Sequence, residues 1–166
     1  MASITLGGNP AETNGALPKV GSVAPNFTLT ATDLSAKSLS NYGPVRKILN
    51  IFPSVDTGIC AASARKFNEE ASNLVNTKVL CISKDLPFAQ KRFCAAEGIE
   101  NVEMLSDFKD VKFGTDYGVL ITKSAFAGLL ARAVLVLDEN NKVLYTELVP
   151  EIGLEPDYAS ALKAVV

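Results

Sequence analysis

The 166-residue sequence contains no histidine. Pairs of Ser or Cys with His need an imidazole base, and nearly all zinc and haem sites use imidazole ligands. The sequence has only three cysteines, at positions 60, 81 and 94, and it lacks a C-x-x-C pair, the simplest dithiol redox motif. We therefore expect no metal and no cofactor, and any catalytic cysteine must be activated without an imidazole.

Other features that mark common binding functions are also missing. The net charge is only −2, with Lys and Arg scattered, so we expect no binding to nucleic acid or to an anionic membrane. The sequence shows no signal peptide and no apolar run of membrane-spanning length, which predicts a cytoplasmic protein. Gly7-Gly8 is the only glycine pair, and it is not a phosphate or dinucleotide motif.

The length predicts one domain, residues 1–166, with residues 1–17 as an N-terminal hairpin extension. Apolar strands alternate with amphipathic helices, and a strand–turn–strand unit and a last helix follow. This order is typical of an α/β protein with a mixed central sheet and flanking helices, and it fits a thioredoxin-like fold. The predicted strands are FTLTA, a strand in VRKILNIFPS that ends at Pro53, KVLCIS, NVEMLSD, ARAVLVLD and NKVLYTELV, and the predicted helices are CAASARKFNEEASNLVN, PFAQKRFCAAEG and DYASALKAVV.

The stretch FPSVDTGICAAS, residues 52–63, carries the strongest functional signal. A strand ends at Pro53, a turn follows, and Cys60 stands where a helix begins. First-turn N–H groups and the helix dipole stabilise a thiolate, which is the nucleophilic form of cysteine. Asp56 or Thr57 could cap this helix, and a tight turn could bring the Thr57 hydroxyl beside the sulfur. Equally, Cys60 could simply be the first residue of the inward helical stripe.

The other cysteines and one arginine complete the candidates. Cys94 lies to one side of the predicted inward face of its helix, formed by Phe88 or Ala89 with Phe93 and Ala96, so it is either a partly exposed reacting thiol or a residue with no role. Cys81 is interpreted as packing inside a strand. Arg132 begins an apolar strand, where it faces an anion such as a thiolate, pairs with a carboxylate, or ends the strand in solvent.

Together these residues resemble the peroxiredoxins. The family motif Pro-x-x-x-Thr-x-x-Cys stands here as Pro53-Ser-Val-Asp-Thr57-Gly-Ile-Cys60. FPSVDTGICAASARKFNEEAS, SKDLPFAQKRFCAAEGIENV and GLLARAVLVLD are similar to the bacterial thiol peroxidase branch, the atypical 2-Cys group, and the similarity covers essentially the whole chain. Gly58 departs from a proline that is frequent at that position.

The resemblance implies a role for each site residue. Cys60 is the peroxidatic cysteine and Cys94 the resolving cysteine, and the two form an intrachain Cys60–Cys94 disulfide. Thr57 orients the peroxide, Pro53 walls the pocket, and Arg132 stabilises the thiolate.

The resemblance also implies the overall function. The activity is reduction of hydrogen peroxide and organic hydroperoxides, with thioredoxin as reductant and a homodimer as the assembly. Two alternatives stay open: a non-catalytic redox sensor or thioredoxin-like binding module, and a structural domain whose cysteines are inert.

Overall fold

The computed structural model describes residues 1–165, which form ten β-strands and four α-helices. The strands are β1 Ser3–Leu6, β2 Asn9–Thr13, β3 Thr28–Ala31, β4 Ala36–Ser38, β5 Arg46–Ile51, β6 Thr77–Ser83, β7 Glu103–Ser106, β8 Ile121–Lys123, β9 Ala133–Leu137 and β10 Val143–Leu148. The helices are α1 Gly58–Ala71, α2 Pro87–Glu97, α3 Lys112–Tyr117 and α4 Tyr158–Ala164, and a 3-10 helix spans Leu39–Tyr42.

Seven strands form the central sheet in the order β10-β9-β5-β6-β7-β3-β4. The pairs β5–β6 and β6–β7 are parallel, so α1 and α2 are crossover connections, while the other pairs are antiparallel. The predicted α/β class, with a mixed central sheet and flanking helices, is confirmed.

The N-terminal residues form the predicted hairpin, in which β1 pairs with β2. The hairpin gains a third strand, β8, which the sequence patterns do not predict. Strand β4 is also unpredicted. Both strands are three residues long, too short to show an alternating pattern of apolar and polar residues.

Both faces of the central sheet are buried, which explains why its strands are almost continuously apolar. Leu49 and Ile51 of β5 pack on one face with α3 and the N-terminal hairpin. Ile48 of the same strand packs on the opposite face, against α1, α2 and α4. Cys60 belongs to this second cluster, so the Cys60 side chain helps to pack α1 against the sheet.

Helix α2 corrects one prediction. Its inward residues are Pro87, Gln90 and Phe93, whereas Phe88 is 65% exposed and Ala96 is also exposed. The reason is that Gln90 takes an inward position through hydrogen bonds from its Nε2 to Ser83 Oγ (3.2 Å) and the Leu105 carbonyl (3.0 Å). A pattern of apolar residues cannot reveal a polar side chain that is buried because its partners are buried.

The end of α2 is as predicted. Gly98 follows the helix with φ +65°, and its N–H donates to the Cys94 carbonyl. In residues 1–165, no helix combines the length and apolar character needed to cross a membrane.

Candidate active site

The chain leaves β5 and turns at Pro53, which is buried, before α1 begins. Thr57 is the N-cap residue, and Cys60 lies in the first helical turn with 0% of its surface exposed. The first turn carries no acidic side chain, so nothing in the helix itself neutralises its positive end. Cys60, Ala64 and Phe67 form the buried stripe, so Cys60 is both a packing residue and a helix-start thiol.

The predicted side-chain cap is wrong. The Thr57 hydroxyl donates to the Ser54 carbonyl (3.1 Å) and accepts from no first-turn amide of α1. Asp56 instead faces Arg92 across 3.5 Å at the surface. Thr57 is half-buried, and its hydroxyl makes no hydrogen bond to the Cys60 sulfur. The first-turn N–H groups therefore keep their capacity to stabilise an anion.

Arg132 lies directly before β9 and is 2% exposed. Its Nη2 is 3.2 Å from Cys60 Sγ, and its Nε donates to the Ile152 carbonyl at 2.7 Å. Of the three surroundings expected for Arg132, the structure shows the first, in which the guanidinium faces the sulfur of a cysteine. The remaining arginines face carboxylates at the surface, in the pairs Arg46–Glu139, Arg65–Glu97 and Arg92–Asp56.

The third guanidinium nitrogen of Arg132, Nη1, is buried and makes no hydrogen bond within residues 1–165. A buried donor without an acceptor is costly. The same group that contacts the sulfur can therefore also donate to an oxygen of a molecule bound beside it. A cationic fork next to a cysteine can bind and polarise an oxygen-rich substrate while it stabilises the thiolate.

Asp85 is a site residue that the sequence does not predict. It lies two residues before α2, and its carboxylate accepts from Ser54 Oγ (2.7 Å) and Val55 N (2.9 Å), both in the loop before Cys60. A third bond comes from Ser83 Oγ (2.6 Å). Asp85 thus links the loop ahead of α1 to the start of α2. An acidic residue before Pro87 is visible in the sequence, but its donors Ser54 and Val55 lie 31 and 30 positions away in the chain.

Cys94 lies inside α2 and is half-buried. Burial raises the pKa of its thiol, so the folded helix favours the neutral form. Cys60 and Cys94 are both free thiols on the same side of the sheet. An open groove of about 340 Å³ lies between the first turn of α1 and helix α2, lined by Thr57, Ala61 and Phe93 among others.

Cys81 is fully buried in β6, and burial raises its pKa to about 12. Asn50 Nδ2 is its polar neighbour, at 3.6 Å from the sulfur. A thiol with such a pKa is protonated at neutral pH, in agreement with its interpretation as a packing residue. The described residues hold no group of three or more Cys, Asp or Glu arranged to bind a metal ion.

Comparisons of the sequence with known proteins identify its relatives. The family described as Redoxin matches residues 19–162. A curated relative, the thiol peroxidase of Corynebacterium glutamicum, is 54% identical over 165 residues, which are 99% of each chain.

Solved structures show the same architecture. A peroxiredoxin-like protein from Aquifex aeolicus matches with a TM-score of 0.92 and 40% identity, over 99% of this chain and 96% of that one. The thiol peroxidase from Chromobacterium violaceum matches with a TM-score of 0.91 over 98% and 95% of the two chains, and at 23% identity it supports the fold alone. The predicted thioredoxin-like fold and the resemblance to peroxiredoxins are confirmed, and the chain belongs to the redoxin family.

Proposed function

We propose that this protein is a thiol peroxidase that reduces hydrogen peroxide and organic hydroperoxides at Cys60. The observation that carries the proposal is the 3.2 Å contact between Arg132 Nη2 and Cys60 Sγ, made at the start of a helix and away from solvent. Guanidinium and helix dipole together supply activation that histidine supplies in other cysteine enzymes. The 54% identity to a thiol peroxidase gives independent support.

In the first step, the Cys60 thiolate attacks the terminal oxygen of the hydroperoxide. The S–O bond forms as the O–O bond breaks, so sulfur is oxidised to a sulfenic acid and the other oxygen leaves as water or an alcohol after taking up a proton. Negative charge grows on the leaving oxygen, where donors act most strongly in the transition state. Arg132 Nη1 is the proposed donor to that oxygen, the Thr57 hydroxyl oxygen orients the peroxide by accepting from its O–H, and Pro53 walls the pocket.

In the second step, the Cys94 thiol attacks the Cys60 sulfenic acid and expels water, which gives the intrachain disulfide. Bridged Cα atoms lie about 4.4–6.8 Å apart. Since Cys60 and Cys94 lie in two separate helices, the first turn of α1 and the middle of α2 unwind for this step. Helix α2 unwinds at low cost, because only Pro87, Gln90 and Phe93 are buried in it. Exposure also removes the burial that raises the pKa of Cys94.

In the third step, a dithiol reductant, thioredoxin in the proposal, transfers two electrons and two protons to the disulfide and restores both thiols. A cytoplasmic location is part of the proposal, because recycling needs a reducing compartment. A homodimer packed near the active-site loop is the proposed assembly, and sedimentation of the purified protein tests it.

The test is peroxide-dependent consumption of NADPH in the presence of thioredoxin and thioredoxin reductase. We expect Cys60→Ser to abolish turnover, Cys94→Ser to stop recycling after one oxidation, and Cys81→Ser to stay near wild type. Full activity in Cys60→Ser would overturn the proposal. Stoichiometric oxidation of wild type without sustained NADPH consumption would instead favour the redox-sensor alternative.

Unwinding is tested by hydrogen exchange in the thiol and disulfide forms. We expect amides in residues 57–64 and 88–98 to exchange faster in the disulfide form, because both helices lose turns there. Equal protection of both ranges in the two forms would contradict this step.

A further inference from the structure

The orientation of Arg132 depends on one backbone carbonyl. Its Nε donates to the Ile152 carbonyl at 2.7 Å, and the planar guanidinium then directs Nη2 to Cys60 Sγ at 3.2 Å. Because the guanidinium is rigid, movement of the carbonyl moves the nitrogen that contacts the sulfur. What holds Ile152 in place therefore bears on the geometry at Cys60.

Ile152 lies in the segment between β10 and α4, and the preceding residue, Glu151, anchors that segment. Glu151 Oε1 accepts from Thr5 Oγ1 (2.9 Å) and Gly8 N (2.8 Å). Its Oε2 accepts from Gly7 N (3.2 Å) and Gly153 N (2.7 Å). These hydrogen bonds lower the pKa of Glu151 to about 2, so the carboxylate is ionised at every pH at which the enzyme is expected to work.

The turn of the N-terminal hairpin is shaped to meet this carboxylate. Gly7 has φ +58° and Gly8 φ +83°, a backbone that points two successive N–H groups at one anion. Backbone bonds run alongside, from Thr5 N to the Pro150 carbonyl (2.8 Å) and from Ile152 N to the Thr5 carbonyl (2.9 Å). The hairpin and the segment that positions Arg132 are thus joined on both sides of Glu151.

We propose that Glu151 is a positioning residue for the reaction of Cys60 with peroxide. Its carboxylate fastens the β1–β2 turn to the segment that carries the Ile152 carbonyl, and that carbonyl holds Arg132 against the sulfur. Glu151 itself touches neither the sulfur nor substrate. The inference rests on the proposed function, and it gives the N-terminal hairpin a part in the active site.

Loss of the carboxylate leaves the Ile152 carbonyl free to shift, and Arg132 shifts with it. Misplacement of a catalytic group by 1 Å can cost about 100-fold in rate. Since the backbone bonds to Thr5 stay in Glu151→Ala, we expect a smaller loss, of about tenfold, in the second-order rate of Cys60 oxidation by hydrogen peroxide. The rate is measured by stopped flow in a single turnover.

The readout that separates positioning from general destabilisation is a double-mutant cycle with Arg132→Met. If Glu151 acts through Arg132, Glu151→Ala lowers the rate about tenfold in the Arg132 background and less than about twofold in the Arg132→Met background. Equal losses in both backgrounds would overturn the proposal. The matched control is Glu155→Ala. It removes a carboxylate from the same segment whose one hydrogen bond within residues 1–165 comes from the hydroxyl of the half-buried Tyr158 (2.9 Å), and it should leave the rate unchanged.

Two milder variants keep the test decisive if Glu151→Ala does not fold. Glu151→Gln loses one acceptor oxygen and Thr5→Val loses one donor, so both variants should slow oxidation less than Glu151→Ala does. Of the two, Glu151→Gln should show the slower oxidation. Wild-type rates in both folded variants would overturn the inference. A wild-type protein that does not react with peroxide would instead refute the proposed function, so the two failures are distinguishable.

Discussion

Cys60 and Cys94 are chemically identical side chains in opposite surroundings. Cys60 is fully buried at the start of the 14-residue α1, with a guanidinium nitrogen 3.2 Å from its sulfur. Cys94 is half-buried in the middle of the 11-residue α2, and no cation contacts its sulfur among the described residues. The first environment stabilises an anion, whereas the second raises the pKa and keeps the thiol neutral.

The elements that carry the two cysteines also differ in how firmly they are held. The loop before Cys60 is tied to Asp85 by two hydrogen bonds, and α1 buries Cys60, Ala64 and Phe67 completely. Helix α2 buries three side chains against four in α1, each set including one polar residue, and Phe93 of α2 keeps 8% of its surface exposed. Reactivity with peroxide calls for a fixed pocket, while disulfide formation calls for an element that opens cheaply. The more firmly held helix carries the peroxide-reactive cysteine and the less firmly held helix carries its partner, while the proposed disulfide step also requires the first turn of α1 to open.

The largest expected effect comes from removal of the cation that distinguishes Cys60. Arg132→Met keeps most of the buried volume but removes the donors to the sulfur and to the peroxide oxygen. We expect the second-order rate of Cys60 oxidation by hydrogen peroxide to fall by about 10²–10³-fold, the loss typical of a preorganised donor. Arg132→Lys keeps the charge but cannot make both contacts, and should recover only part of the rate.

A loss below about tenfold in folded Arg132→Met would show that the helix start alone activates Cys60. The two cysteine environments would then differ by position in their helices and hardly by charge.

Thr57 should have the next largest effect. Its hydroxyl donates to the Ser54 carbonyl in the thiol form, so its oxygen lone pairs remain available on the pocket side. We expect Thr57→Val to slow Cys60 oxidation by about tenfold, the upper end for one hydrogen bond accepted from the peroxide O–H, and Thr57→Ser to stay within about twofold of wild type. Equal slowing by Val and Ser would show that the methyl group and its packing matter, and the hydroxyl does not.

The sequence predicts most of the difference between the surroundings of Cys60 and Cys94, because the signals that mark these surroundings are local. Pro53, the turn and Cys60 are neighbours in the chain, and Gly98 ends α2 where the pattern predicts. The contact between Arg132 and Cys60 joins residues 72 positions apart, and it is one of three surroundings that the sequence allows for an arginine at the start of an apolar strand. Only the sheet order, which sets β9 beside β5, brings the two together.

What the sequence does not predict depends on partners that are distant in the chain. Asp85 accepts from the loop before α1, and Gln90 is turned inward by Ser83 and a backbone carbonyl. The expected cap by Thr57 fails for a local reason, since the carbonyl of Ser54, three residues earlier, accepts its hydroxyl hydrogen. Hydrogen-bond partners of polar side chains follow from tertiary packing, which hydrophobic periodicity does not encode.

Loosening of the loop before Cys60 should reduce the difference in rigidity between this loop and helix α2. Asp85→Ala removes the acceptor of Ser54 Oγ and Val55 N, and each hydrogen bond contributes about 0.5–1.5 kcal/mol. We expect faster hydrogen exchange in residues 54–57, and Cys60 oxidation slower by about fivefold, on the order of one such bond. Disulfide formation should be faster, because the loop unwinds more easily.

Asp56→Ala is the matched control for Asp85→Ala. It removes a carboxylate from the same loop, but its pair with Arg92 is exposed and contributes at most about 1 kcal/mol. Both rates in Asp56→Ala should stay within about twofold of wild type. If Asp85→Ala behaves like Asp56→Ala, the link between the loop and α2 has no kinetic role.

The smallest expected effect is on the Cys94 side. Gly98 and Ile99 N–H both donate to the Cys94 carbonyl, and Gly98 has φ +65° with open space around it. Gly98→Ala therefore costs about 1 kcal/mol from backbone strain alone and frays α2 next to Cys94. Disulfide formation should be about two- to fivefold faster, while oxidation of Cys60 is unchanged, as resolved by the two phases of a stopped-flow trace. If Gly98→Ala shows the wild-type rate in both phases, opening of α1, and not of α2, limits the second step.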